Sequence, residues 1–278
     1  MVVNTSSGGV SVIATPTSHL EVRLARNRRD VKAAQLLRYR IFYKEMGASA
    51  NLRTKFFRRD FDHFDRACDH LLVIDRRRLR MRPVRLGSVV GTCRLIRRGV
   101  ADRGGGFYSA GEFDLTPLLR GPGECVEVGR SCVDPGYRTG AVIDRMWRAI
   151  ADYIVAHQIG VLFGCASLPG TRPEQLAELL SYLHHYHLAP EDSRPRAVAS
   201  RYVDMCMRPA EQIDPKRAWA ALPPLLKGYL RLGAKIGDGA VVDEQFNTTD
   251  VCIVLQTARL TERYLRHYRA QFGSLEAA

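Results

Sequence analysis

The segment Cys125-Val126-Glu127-Val128-Gly129-Arg130-Ser131-Cys132-Val133-Asp134-Pro135-Gly136 constrains this chain more than any other. Its apolar residues read as a buried strand, and Asp-Pro-Gly stops it. A helical pattern restarts at Arg138 and runs to about His157, with Val142, Met146, Ile150 and Ile154 along one stripe. A second short apolar strand follows over 161–166. Strand, helix and strand in that order predict an α/β layer with at least one parallel pair. The first strand also carries an acid and a guanidinium, Glu127 and Arg130. Residues three apart on a regular strand point to opposite faces. One of the pair is therefore expected to face a cleft while the other braces the far side. A buried charge is costly unless paired, so the pair is either a structural brace or the centre of a site.

Around this centre the pattern predicts further elements. Residues 20–26 alternate as a first strand, and Asp30 can cap a helix running to about Met46, which Gly47 ends. Residues 48–69 read as a loop holding Asp60, Asp62, Asp65 and Asp69. Strands are expected at 70–74 and 89–97, joined by an Arg-rich turn region over 76–85. A Gly-rich loop covers 99–111. Thr171 caps a helix over 173–186. The last third holds a strand near 202–207, a helix after Pro223-Pro224 and a strand at 250–257. Residues 1–18 are rich in Ser, Gly and Thr and read as disordered. Residues 19–278 read as one domain with a C-terminal extension from about 210.

The formal net charge of +13 suggests an acidic partner: nucleic acid, an anionic membrane or an acidic carrier protein. No nucleic-acid motif or basic-aromatic interleaving supports the first of these. Nearly all the surplus is Arg, which can equally be spread over solvated faces. The seven cysteines are scattered without Cys-x-x-Cys, which argues against a disulfide framework or a zinc site. Cys125 and Cys132 flank the key strand, but no His or Lys stands beside them to lower a thiol pKa. Asp60, Asp62 and Asp65 lack the ligand alternation and Gly turn of a calcium loop, and no metal is expected. His184, His185 and His187 cluster at a helix end, where imidazole is favourable without any further role. Lys227, Arg231 and Lys235 recur every four residues beside Leu225, Tyr229, Leu232 and Ile236. That reads as one amphipathic helix over 224–236, either packed on the core or lying on an anionic surface. No apolar run is long enough to span a bilayer and no signal-peptide pattern opens the chain. The expected location is cytoplasmic, with peripheral contact at the inner membrane face left open.

The residues and their order resemble a known family. The element order resembles the GNAT N-acyltransferase fold, a mixed sheet whose splayed central parallel strands hold an acyl thioester. The segments LRYRIFYKEMGA (37–48), DHLLV (69–73), GTCRL (91–95), GFYSAGEFDL (106–115) and EVGRSCV (127–133) resemble the ornithine–acyl carrier protein N-acyltransferases. So do LFGCASLPGT (162–171), LSYLHHYHLAP (180–190) and LPPLLKGYLRLGAKIGDGAVVDEQFNTTDVCIVL (222–255). A more distant resemblance is to the acyl-homoserine lactone synthases. Their shared positions match Arg38 and Phe42 in the first helix, Asp62 and Asp65 in the next loop, Arg94 on a strand, and Glu127 with Arg130.

The resemblance implies transfer of a 3-hydroxyacyl chain from acyl carrier protein to the α-amine of L-ornithine, giving lyso-ornithine lipid. It implies catalytic roles for Glu127 and Arg130, and substrate contacts for Arg38, Phe42, Asp62, Asp65 and Arg94. Enzymes of this fold that use acetyl-CoA hold pyrophosphate on a glycine-rich helix start. Here Arg138-Thr139-Gly140-Ala141-Val142 has one glycine. Arg138, Thr139 and Gly140 are therefore expected to meet the single phosphate of a carrier phosphopantetheine, with acyl carrier protein as co-substrate and no bound cofactor. The alternatives are an acyl-homoserine lactone synthase and a non-catalytic carrier- or membrane-binding module. Glu127 could be the base, or pair with an Arg inside the sheet. Arg130 and Arg94 could bind an anion or brace strands. Asp60, Asp62 and Asp65 could hold the ornithine side-chain ammonium, or balance Arg58 and Arg59.

Overall fold

The chain is described by a computed structural model over residues 19–80, 87–121 and 123–258. The expected disordered segment 1–18 lies outside the described residues, as does the Arg-rich turn beyond Arg80. The strands are β1 (Leu20–Leu24), β2 (Asp69–Asp75), β3 (Val89–Arg97), β4 (Phe113–Asp114), β5 (Glu124–Val133), β6 (Ile159–Pro169), β7 (Arg196–Ala197), β8 (Lys235–Asp243) and β9 (Thr248–Gln256). The helices are α1 (Arg28–Arg38), α2 (Leu52–Phe57), α3 (Arg76–Arg80), α4 (Arg98–Gly104), α5 (Thr116–Leu119), α6 (Gly140–Ala156), α7 (Ala177–His187), α8 (Pro215–Ala221) and α9 (Pro224–Arg231).

The strands bond in the order β1-β2-β3-β5-β6-β9-β8-β7-β4. The β5–β6 pair is parallel, as the intervening α6 requires, and β3–β5 and β6–β9 are antiparallel. This is the mixed α/β sheet that the sequence predicts. Alternation divides its two faces. Val126, Val128, Leu95 and Leu162 pack under Val142, Met146, Ile150 and Ile154 of α6. Full burial of each such side chain is worth about 1.5–3 kcal/mol. On the opposite face, Ala33, Ala34 and Leu37 of α1 cover Leu72, Ile74 and Cys132. Phe107, Phe113, Phe163 and Cys252 fill the rest of that face.

Several local readings change. Asn27, not Asp30, caps α1 by accepting from the Arg29 and Asp30 amides. Asp30 instead bonds Arg23 at 2.7 Å. The α-helix ends at Arg38 and widens into a π-helical turn, Tyr39–Glu45. The expected strand at 202–207 is irregular apart from one bridge, Val203 to Ala240. There Ser181 Oγ accepts from the Met207 and Arg208 amides, so a side chain takes the bonds a strand would need. The expected helix 224–236 is α9 alone and stops at Arg231. Gly233 turns the chain at φ +92°, and Lys235 and Ile236 begin β8. The basic stripe of Lys227, Arg231 and Lys235 is therefore split between two elements.

The parallel pair is joined only in its first half. Glu124, Cys125, Val126 and Glu127 have partners Ile159, Val161, Leu162 and Phe163. Beyond these, β5 and β6 each continue without pairing to the other, and a wedge opens. Gly164 sits at the apex. A Cβ there would overlap the Val128 carbonyl oxygen, so glycine lets the strands meet before they part.

Candidate active site

The site grows from a bulge. In the β3–β5 ladder Arg94 faces Gly129 and Thr92 faces Cys132, so Arg130 and Ser131 together oppose Cys93. Arg130 adopts φ +51° to accommodate the extra residue. The insertion resets the alternation. Glu127 and Arg130 therefore share a face instead of dividing, and both meet Tyr108. The Tyr108 amide donates to Glu127 Oε2 at 2.7 Å, and its ring lies 4.6 Å from the Arg130 guanidinium carbon.

Three guanidiniums and three carboxylates interlock on that face. Arg38 gives Nε to Asp60 Oδ2 at 2.7 Å, and Nη1 and Nη2 to Asp65 at 2.9 and 2.7 Å. Arg94 Nη1 reaches both Asp62 oxygens at 2.7 Å and Asp65 Oδ1 at 3.3 Å. Arg130 Nε lies 3.4 Å from Asp60 Oδ2, and its Nη2 lies 3.7 Å from Asp62 Oδ2. Formal charges within this set cancel. Burial alone would raise the Asp65 carboxyl, but Arg38 and Arg94 outweigh it and hold it well below the usual carboxylate range. Burial opposes the charge on Arg130, yet Asp60, Tyr108 and Asp62 keep it firmly protonated.

Arg130 is also held between rings, with Phe246 at 4.5 Å on one side and Tyr108 on the other. Phe42 meets Phe246 edge-on at 5.8 Å, which brings it to the site through one intermediary. The sequence-predicted residues Arg38, Phe42, Asp62, Asp65, Arg94, Glu127 and Arg130 thus converge. Arg138, Thr139 and Gly140 sit apart, where α6 begins beyond the far end of β5. Arg138 pairs with Glu45 at 2.6 Å. Thr139 makes no side-chain cap, and the positive end of a 17-residue helix dipole faces outward there.

Glu127 does not take an Arg partner in the sheet. Its Oε1 accepts from the Ser109 amide at 2.7 Å and the Ser109 hydroxyl at 2.5 Å. Burial pushes its pKa up, while the Ser109 and Tyr108 donors pull against that shift. Past the apex, Cys165 Sγ lies 3.3 Å from Ser109 Oγ and 3.2 Å from Glu112 Oε2. Burial first, and the Asp250 charge second, push Glu112 up to about 7. Sequence reasoning missed Tyr108, Ser109, Glu112, Cys165, Phe246 and Asp250. Tyr108 and Ser109 lie in the stretch 99–111 that composition reads as a Gly-rich loop, and Glu112 follows directly after it. Asp250 carried a usable signal, a carboxylate opening an otherwise apolar strand. Elsewhere, His184, His185 and Cys206 bring possible ligand atoms within 4.8 Å of one another on the surface. His185 Nε2 bonds the Arg208 carbonyl at 2.8 Å.

An acetyltransferase (GNAT) domain profile matches residues 37–148. The L-ornithine N(alpha)-acyltransferase of Rhizobium meliloti (strain 1021) is 45% identical over 98% of this chain and 94% of its own length. That of Brucella abortus (strain 2308) is 45% identical over 96% of this chain and 94% of its own. Among solved structures, the acyl-homoserine lactone synthase LasI aligns over 94% of this chain and 98% of its own, with TM-score 0.46 and 12% identity. At such identity over nearly the whole length, the chain belongs to the L-ornithine N(alpha)-acyltransferase family and is an acyltransferase.

Proposed function

We propose that this acyltransferase moves a 3-hydroxyacyl chain from the phosphopantetheine thioester of acyl carrier protein to the α-amine of L-ornithine, giving lyso-ornithine lipid. The observation that carries the acceptor is the 45% identity to relatives named for ornithine acylation. The wedge beyond Glu127 and Phe163 supports a thioester lying between β5 and β6. The α-amine lone pair attacks the thioester carbonyl, the new N–C bond forms, and the C–S bond breaks. The amine proton passes through Ser109 Oγ to Glu127 and returns to the departing thiolate. The Arg130–Ser131 bulge stands outside the ladder, so its N–H groups can meet the developing oxyanion. Arg130, rigid between Tyr108 and Phe246, offers its fork to the ornithine carboxylate.

The donor reading is supported by the open start of α6 and the surplus of basic residues. A membrane contact is supported at α2. Leu52 and Phe56 are 85% and 81% exposed, and exposed Arg53, Lys55 and Arg58 flank them. Among the described residues no helix is long and apolar enough to cross a membrane. The test is mass spectrometry of purified protein with ornithine and 3-hydroxyacyl carrier protein. N-acylornithine is the expected product. Acylation of S-adenosylmethionine with ornithine untouched would overturn the reading.

A further inference from the structure

We propose that Glu112 and Asp250, beside Cys165, form the subsite for the second ammonium of a diamino acid acceptor. This rests on the acceptor reading above and names the part of the site that reads the side chain. The three loop aspartates are poor candidates, because Arg38, Arg94 and Arg130 already neutralise them. Glu112 and Asp250 are the contrasting pair. They are 4% and 5% exposed, and with Cys165 they bring polar atoms within 4.8 Å of one another. Asp250 Oδ1 is buried and has no hydrogen-bond partner among the described residues. Burial pushes its carboxyl up, and the nearby Ser167 hydroxyl pulls against that shift. Among the described residues one cation meets the pair: Arg201 Nη1 reaches Glu112 Oε1 at 3.5 Å but shares itself with the Gly111 carbonyl at 3.3 Å, and Nη2 goes to the Val242 carbonyl at 3.0 Å. Two buried carboxylates served by one shared cation, with one oxygen left without a partner, call for a cationic donor.

Placement agrees. Cys165 and Ser167 follow Phe163 on the part of β6 that β5 has left, and they are half-buried and exposed respectively. Asp250 faces Ser167 across the β6–β9 ladder. A short chain of contacts, Glu127 to Ser109 to Cys165 to Glu112, links the proposed base to this pair. An acceptor with its α-amine near Ser109 would thus extend its side chain toward Glu112 and Asp250. Burial and the Glu112 charge push the Cys165 thiol up. The group therefore stays a thiol, a weak hydrogen-bond donor to carboxylate and not a thiolate ligand.

The test compares L-ornithine with L-norvaline, which lacks the terminal amine, in the wild type, Glu112→Gln and Asp250→Asn, at saturating acyl donor. The wild type should favour ornithine in kcat/KM by about 100-fold or more. Each variant should raise ornithine KM about tenfold or more and collapse that preference, with acyl-donor KM unchanged. If the variants keep the preference while the wild type acylates ornithine, the subsite is wrong and the function stands. A loss of kcat at constant ornithine KM in Glu112→Gln would make Glu112 a base and overturn the assignment. So would a stoichiometric divalent metal whose chelation abolishes activity. The wild-type ratio needs no variant to fold: norvaline turned over as well as ornithine refutes the subsite. A wild type that acylates norvaline and ignores ornithine removes the acceptor reading with it.

Discussion

Replacing Asp65 with Asn tests whether the Arg–Asp network is the frame of the site. Asp65 accepts from both Arg38 Nη atoms, from Gln35 Nε2 at 2.9 Å and from Arg94 at 3.3 Å. It is 5% exposed. Asn keeps the volume but removes the charge and turns an N–H₂ group toward a guanidinium. The buried set then carries an uncompensated positive charge. Removing one partner of a buried ion pair costs about 3–5 kcal/mol. At roughly 2 °C per kcal/mol for a chain of this length, Tm should fall by roughly 6–10 °C. The pH dependence has a definite sign. The folded carboxyl is held below its unfolded value of about 3.9. Its contribution is therefore complete above that value and is lost as pH falls toward the folded value. Thermal unfolding followed by circular dichroism should show the gap between wild type and Asp65→Asn at pH 7 and a narrower gap at pH 3. A variant within 1 °C of wild type at neutral pH, or a gap independent of pH, would refute the reasoning.

Glu127→Gln should lower single-turnover product formation by about 10²- to 10⁴-fold, and activity within twofold of wild type would remove Glu127 from the chemistry. Gly164→Ala should destabilise the fold by about 1–3 kcal/mol and weaken use of the acyl donor, because the methyl meets the Val128 carbonyl at the apex; wild-type melting and kinetics would show that the apex tolerates a side chain. Replacing Leu52 and Phe56 together by Ser should release the protein from anionic vesicles in a sedimentation assay while turnover without vesicles persists. Unchanged vesicle binding would move the membrane contact elsewhere.

The backbone of this fold was legible where periodicity is strong. The α6 stripe and the apolar runs of β3, β5 and β6 all emerged close to their observed positions. Element boundaries suffered where side chains replace backbone bonds, as at Ser181, or where a left-handed glycine breaks a helical stripe, as at Gly233. The relation of Glu127 to Arg130 was misjudged for a specific reason. Alternation counts residues, and a bulge inserts one that no composition rule announces. Glu112, Cys165 and Asp250 meet from three separate stretches of chain, Ser109 sharing the first with Glu112, and local pattern cannot report such long-range convergence. Arg38, Asp62, Asp65 and Arg94 were found through family likeness, but only coordinates show that their charges cancel among themselves.

The position of β9 bears on how this protein is made. β9 is the antiparallel neighbour of β6 and pairs with it from Val161 to Pro169, along the whole stretch that β5 leaves. Thr257 even ties the base of β6 through the Ile159 carbonyl. Residues 37–148, which carry the acetyltransferase profile, hold only one of the two strands that diverge. A ribosome that has delivered β6 has thus exposed a long apolar edge whose partner is still some eighty residues from emerging. Nascent chains stalled in that interval should be the sticky ones, and the sheet can close over β6 only once β9 has emerged.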